Sequence, residues 1–124
     1  MEEILINTGT INSMEQHFAG KNMTDFAKLL TDKIAIKIFL DIAKNDFRFF
    51  DNICEDTSLE PEDVATYLKK LEEVNLIEKN PGPVSKKYVL AFNGQIFAQK
   101  LQEEYPQVRE FLGGKNFIRP LKLK

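Results

Sequence analysis

Histidine and cysteine each occur once, as His17 and Cys54, and tryptophan does not occur at all. A lone cysteine cannot close an intrachain disulfide, and one Cys with one His cannot supply the ligands of a tetrahedral metal site. Cys54, in FDNICEDT, reads as a small core side chain; a redox switch through an intersubunit pair of Cys54 residues is the lesser alternative. His17, in MEQHFAG, reads as an ordinary surface or helix residue. The chain has no GxxxxGK[ST], no GxGxxG and no Ser or Cys nucleophile with a neighbouring base, so neither an enzyme nor a bound cofactor is expected. No apolar run approaches the ~18 residues that a membrane span requires. The opening MEEILINTGT carries two acids where a secretory leader would carry bases ahead of a long apolar core. These absences, with so little cysteine, point to a cytoplasmic protein without membrane association.

Present instead are 124 residues, 43% of them hydrophobic, enough for one core and too few for two. The net charge of -2 gives no global attraction to polyanions. Its distribution is uneven. Residues 1–53 sum to -2, residues 54–78 to -6 and residues 79–124 to +6, so the second half is a dipole in sequence.

The segment Pro61–Asn75, PEDVATYLKKLEEVN, organises the chain. Val64, Leu68, Leu71 and Val74 recur at steps of three and four, the spacing of one buried helix stripe. Pro61 suits the first turn, where a missing N–H is not needed. Upstream, DKIAIKIFLDIAKND is read as a buried helix capped by Thr31 or Asp32, with Ile34, Ala35, Ile38, Phe39 and Ile42 on a wide apolar face. Phe47, Phe50, Ile53 and Cys54 supply a short helix, with Phe49 either buried behind it or exposed to a partner; Thr57, Ser58 and Leu59 make the turn into the long helix. Leu76–Lys79 and Lys87–Phe92 are two strands joined by the turn residues Asn80, Pro81, Gly82 and Pro83.

Asn93 is read as the cap of a later helix, GQIFAQKLQEEY, with Ile96, Phe97, Leu101 and Tyr105 on one face, interrupted by Pro106. Before residue 32, residues 1–13 suit a short strand or irregular arm. Ser13–Ala19 suits a brief helix, and Thr24 caps another that carries Phe26, Leu29 and Leu30. The division is an N-terminal arm and short helix over 1–23, a main domain over 24–104, and a C-terminal extension with a basic tail over 105–124.

The order helix, short helix, turn, long helix, strand, turn, strand is that of a winged helix-turn-helix. The run EDVATYLKKLEEVNLIEKN followed by KKYVLAFNGQIFAQKL resembles archaeal and bacterial winged-helix regulators of the arsenical-repressor and multiple-antibiotic-resistance-regulator kinds. The resemblance spans about residues 24–104, and YLKKLEEVNLI and YVLAFNGQIFAQKL are its most specific pieces. It implies a mainly α fold with a small antiparallel β wing and additional N- and C-terminal helices. It also implies a homodimeric transcription regulator on double-stranded DNA, with recognition helix 61–75 in the major groove and wing 79–87 along the backbone or minor groove.

Carried onto this chain, the DNA-binding positions are Thr66, Tyr67, Lys69, Lys70, Lys79, Lys86 and Lys87. The helix segments near Phe18–Leu30 and Ile96–Tyr105 would form the dimer surface. The chain departs from the regulators' pattern at Glu62 and Asp63, which stand where donors to bases and phosphates are usual. Acids in a first turn favour the positive end of the helix dipole by about 0.3–1 kcal/mol each. The alternative function is a protein-interaction module, an accessory factor of transcription or an antagonist of another regulator, which meets a basic partner through the acidic sector 55–78.

Overall fold

The computed structural model describes residue 29 and residues 31–80 and 87–117. The expectations for residues 1–28, for the turn 81–86 and for the tail 118–124 lie outside these. Among the described residues, eight elements follow in order: α1 (Lys33–Lys44), β1 (Phe47–Phe49), α2 (Phe50–Thr57), α3 (Pro61–Glu73), β2 (Ile77–Asn80), β3 (Lys87–Leu90), α4 (Phe92–Glu104) and α5 (Pro106–Leu112). This is the mainly α chain with a small antiparallel sheet that the sequence implied.

Helix α1 is the axis. Eight of its twelve residues are buried: Ala35, Ile36, Ile38, Phe39, Leu40, Asp41, Ile42 and Ala43. Lys33, Lys37 and Lys44 form a narrow exposed stripe; the wide apolar remainder needs cover from several directions, and α2, α3, α4, α5, β1 and β3 all pack against it. Asp32, the cap read from sequence, accepts the Ile34 N–H at 2.9 Å. At the other end, the Asn45 side chain donates to the Asp41 carbonyl at 2.8 Å, and Asp46 turns the chain at φ 65°.

Beyond that turn the structure corrects the sequence reading. Phe47 does not belong to the short helix; Phe47–Phe49 form a strand that pairs antiparallel with β3, giving a three-stranded sheet in the order β1-β3-β2. Pairing with β3 makes FRF alternate across the sheet. Arg48 lies opposite Tyr88 and belongs to the inner face of the sheet, whereas Phe47, 44% exposed, lies on the outer face. The Phe47 N–H is bonded to the Asn45 carbonyl at 2.6 Å and the Phe49 N–H to Asn52 Oδ1 at 3.2 Å. The outer edge of β1 therefore offers neither donor to a further strand.

Helix α2 ends at Ser58 in the left-handed region, φ 58°, and half-buried Leu59 packs against the core, as a turn between two helices requires. Helix α3 buries Val64, Leu68 and Leu71. It stops two residues before the expected Asn75, which adopts φ 63°. The Leu76 N–H returns to the Leu71 carbonyl and the Asn75 N–H to the Glu72 carbonyl, both at 3.0 Å. This double closure satisfies two end carbonyls, and Asn is one of the few residues that tolerates the left-handed position. The chain thereby reverses into β2, which runs to Asn80, one residue beyond expectation.

The expected cap of the later helix is also corrected. Ala91 is the N-cap, Phe92 is the first helical residue at 67% exposure, and Asn93 lies inside α4. The register is set by Leu76, whose carbonyl accepts the Ala91 N–H at 3.0 Å. Phe97 and Leu101, expected in part of a dimer surface, are fully buried in the chain's own core, where Phe97 meets Phe39 at 5.2 Å between ring centroids. Pro106 starts α5, which buries Val108 and Leu112 and ends at Gly113, φ 77°.

Gly94 allows the α4 backbone to lie on the Leu76 carbonyl; a Cβ there would collide with that oxygen and also press on the Phe39 ring. Gly94→Ala should therefore destabilise the fold by about 1–3 kcal/mol, the usual range for overpacking, despite its better helix propensity. Urea unfolding measures this, and a variant as stable as the parent would contradict the close approach.

Arg48 reaches from β1 to Asp41 in α1, Nε to Oδ2 at 3.2 Å, to the Asn52 carbonyl at 3.4 Å and to Asp56. Burial pushes the Asp41 carboxyl above its ordinary 3.8, against the lowering pull of Arg48. A raised carboxyl contributes stability that is complete below its ordinary value and is lost as pH rises through the raised one. Arg48→Met should cost about 3 kcal/mol near pH 7, because it leaves Asp41 without its cation, and less in mild acid, where Asp41 takes up a proton. Unfolding curves at both pH values check this; an equal loss at each would assign Arg48 a packing role only.

Candidate nucleic-acid interface

The buried stripe of α3 fixes what its opposite side presents. With Val64, Leu68 and Leu71 inside, Glu62, Ala65, Thr66, Lys69 and Glu73 share the outward side, flanked by Asp63 and Lys70, and all seven are exposed. Pro61 occupies the first turn and Glu60 the cap position without a side-chain bond, so Glu62 and Asp63 provide the negative charge near the open N–H groups. Thr66 turns its hydroxyl back to the Glu62 carbonyl at 2.9 Å. That internal bond is readily exchanged on an exposed surface.

Of the sequence-derived positions on this helix, Tyr67 differs most from expectation. Its ring is half-buried against the core, and its hydroxyl donates to Asp32 Oδ2 at 2.5 Å. The ring also carries the Lys70 ammonium 5.0 Å from its centroid. Lys69 is exposed. The structure thus leaves Thr66, Lys69 and Lys70 outward and ties the Tyr67 hydroxyl inward.

The lysines of the sheet are placed by its register. Lys79 on β2 lies opposite Tyr88, and Lys87 on β3 lies between Asn80 and Phe49; both lysines are exposed. The Lys87 ammonium stands 4.9 Å above the Phe47 ring, a cation–π contact that sequence spacing gave no means of finding. Lys86 lies outside the described residues. Lys115, counted with the basic tail, has another use. Its ammonium donates to the Ala43 and Lys44 carbonyls at 3.1 and 2.7 Å and meets Asp46 at 2.7 Å, so it closes the C-terminus of α1.

Cys54 is half-buried, and burial, then the Asp51 carboxylate, push its thiol above the ordinary 9.0. This lowers the thiolate fraction on which oxidation depends. Among the described residues no group of three or more His, Cys, Asp or Glu side chains could hold a metal ion. No helix among them is long and apolar enough to cross a membrane.

The bond to Asp32, then burial, raise the Tyr67 hydroxyl from 10.0 to about 12. The stability it contributes is complete below pH 10 and is lost as pH rises toward about 12. Subtracting the alkaline absorbance titration of Tyr67→Phe from that of the parent should isolate one tyrosine with a midpoint about two units above the ordinary value. A midpoint near the ordinary value would mean that the Asp32 bond does not persist in solution.

No family model matches the chain, and no curated protein matches it. Among solved structures, the oxidized form of MarR from E. coli superposes with a TM-score of 0.53 at 15% identity, covering 89% of this chain and 76% of that one. The disulfide-formed AbfR superposes with a TM-score of 0.50 at 14% identity, covering 85% of this chain and 69% of that one. At such identities the likeness is one of fold, and it agrees with the element order, the sheet and the outward long helix described above. The chain has the winged helix-turn-helix fold of MarR-type structures.

Proposed function

We propose that the chain is a DNA-binding transcription regulator that acts as a homodimer, with α3 entering the major groove and the β2–β3 hairpin lying along the backbone. The observation that carries this reading is the exposed outward side of α3, with Thr66, Lys69 and Lys70 presented on a helix whose other side is wholly engaged in the core. Helix-turn-helix folds use such a helix to read base edges. Lys79 and Lys87 add positive charge on the hairpin that follows, and Lys86 joins them by sequence position.

Local neutralisation of phosphates, not net charge, governs such binding, so the overall -2 is no obstacle. In this reading Thr66 and Lys69 reach base edges, the remaining lysines reach phosphates, and the Tyr67 ring borders the contact.

A second reading is favoured by the exposure of Glu55, Glu60, Glu62, Asp63, Glu73 and Glu78 across α2, α3 and β2. This sector would meet a basic protein in place of DNA. The two readings separate in one experiment, fluorescence anisotropy of a mixed duplex pool titrated with the protein at several salt concentrations. A regulator binds with an affinity that falls steeply with salt. Lys79→Ala/Lys87→Ala should flatten the log–log salt slope by about 4, one for each phosphate that the two protomers of the dimer no longer neutralise, and Lys69→Ala/Lys70→Ala should weaken binding further. Retention that neither double variant alters would refute this mode of binding, and no retention at low salt would favour the protein partner. Light scattering on the same samples tests the dimer.

A further inference from the structure

The apolar contacts of Val64, Leu68 and Leu71 hold α3 against the core and set which side faces outward, but such contacts are non-directional and set the last few degrees of rotation less sharply than a hydrogen bond does. Rotation matters for a helix that reads bases. Side-chain tips stand roughly 6 Å from the axis, so a rotation of about 10° moves them by about 1 Å, enough to spoil a hydrogen bond. Among the described residues, the Tyr67 hydroxyl gives α3 a directional restraint. It crosses 35 positions of sequence to Asp32 Oδ2 at 2.5 Å. The acceptor is itself immobilised, because Asp32 Oδ1 accepts the Ile34 N–H at 2.9 Å as the cap of α1. One carboxylate thus joins the axis of the core to the middle of α3. The Lys70 ammonium, 5.0 Å from the Tyr67 ring, steadies the ring that carries the hydroxyl.

We infer that Tyr67 is a positioning residue: by donating to the carboxylate that caps α1 it fixes the rotation of α3, and so decides how Thr66 and Lys69 meet base edges, without itself donating to nucleic acid. The inference rests on the DNA-binding reading for its consequence, not for its geometry. It assigns Tyr67 to sequence discrimination, whereas Lys70, Lys79 and Lys87 supply affinity that is indifferent to sequence. It also places the start of α1 in control of α3, since Leu29, buried in the core, and Asp32 are joined by the bond from the Asp32 N–H to the Leu29 carbonyl at 3.0 Å.

The test uses two variants of the full chain. Tyr67→Phe removes the hydroxyl and keeps the ring. Asp32→Asn keeps a good helix cap and an acceptor but loses the charge. The duplex best retained from a random pool and an unrelated duplex of equal length are titrated against each protein, and amide hydrogen exchange is followed in the free protein. Tyr67→Phe should lower the ratio of the two affinities by about five- to tenfold with the salt slope unchanged, and should speed exchange in α3 but not in α4. Asp32→Asn should act in the same direction and less strongly.

An unchanged ratio would overturn the inference. So would an equal fall in both affinities with a flatter salt slope, which would make the hydroxyl a phosphate ligand. Should the parent bind no duplex at all, the DNA reading fails and exchange alone decides. Faster exchange confined to α3 would then uphold the positioning role, and unaltered exchange would overturn it.

Discussion

The burial of α1 over all but a narrow lysine stripe is the constraint on which the rest of the structure depends. A helix with eight of twelve residues buried keeps only the stripe of Lys33, Lys37 and Lys44 in solvent, so each neighbouring element must cover part of the rest. Large aliphatic and aromatic side chains contribute about 1.5–3 kcal/mol each when fully buried, and Ile38, Phe39, Leu40 and Ile42 are all at 0% exposure. Within that surface Asp41 is the exception. Its carboxylate is answered by Arg48 from β1, which also reaches α2, so one polar cluster joins three elements around an apolar axis. Such an ion pair adds little net stability; its effect here is directional, setting β1 against α1.

Sharp corners complete the arrangement. Asp46, Ser58 and Asn75 take positive φ at the exits of α1, α2 and α3, without glycine. Asp and Asn tolerate this region better than most residues because their short polar side chains bond locally. The Asn75 corner has the longest reach. It returns the chain to the Leu71 and Glu72 carbonyls and delivers Leu76, whose own carbonyl then receives Ala91 and lies against Gly94. The exit of α3, the sheet and the start of α4 are thereby fixed to one another.

The distribution of charge on α3 follows from its two ends. Acids at its start complement the helix dipole, and lysines two turns later stand on the outward side. A positive hairpin follows an acidic helix start, so any polyanion that approaches meets attraction at Lys69, Lys70, Lys79 and Lys87 and repulsion at Glu62 and Asp63. This pattern favours one orientation of approach over others.

The sequence by itself determined the elements and most of the fold. Val64, Leu68 and Leu71 at helical spacing, Pro61 at a first turn, Asp32 at a cap and Pro106 at a break are local signals, and local signals can be read without any tertiary contact. They placed α1, α3, the hairpin and α4 close to where they stand, and the outward positions of α3 followed. Tertiary structure decided what depends on partners distant in sequence. Phe47–Phe49 became a strand because β3 was there to pair with it, since three residues carry too short a pattern to distinguish strand from helix start. Helix α4 began at Phe92 and not after Asn93 because Leu76, 15 positions before Ala91, captured the Ala91 N–H. Lys115 was drawn from the basic tail to the end of α1, and Tyr67 from the outward side of α3 to Asp32. Periodicity records which side of an element faces inward, but a hydrogen bond across 35 residues depends on the distance between two helices, which only the packed core sets.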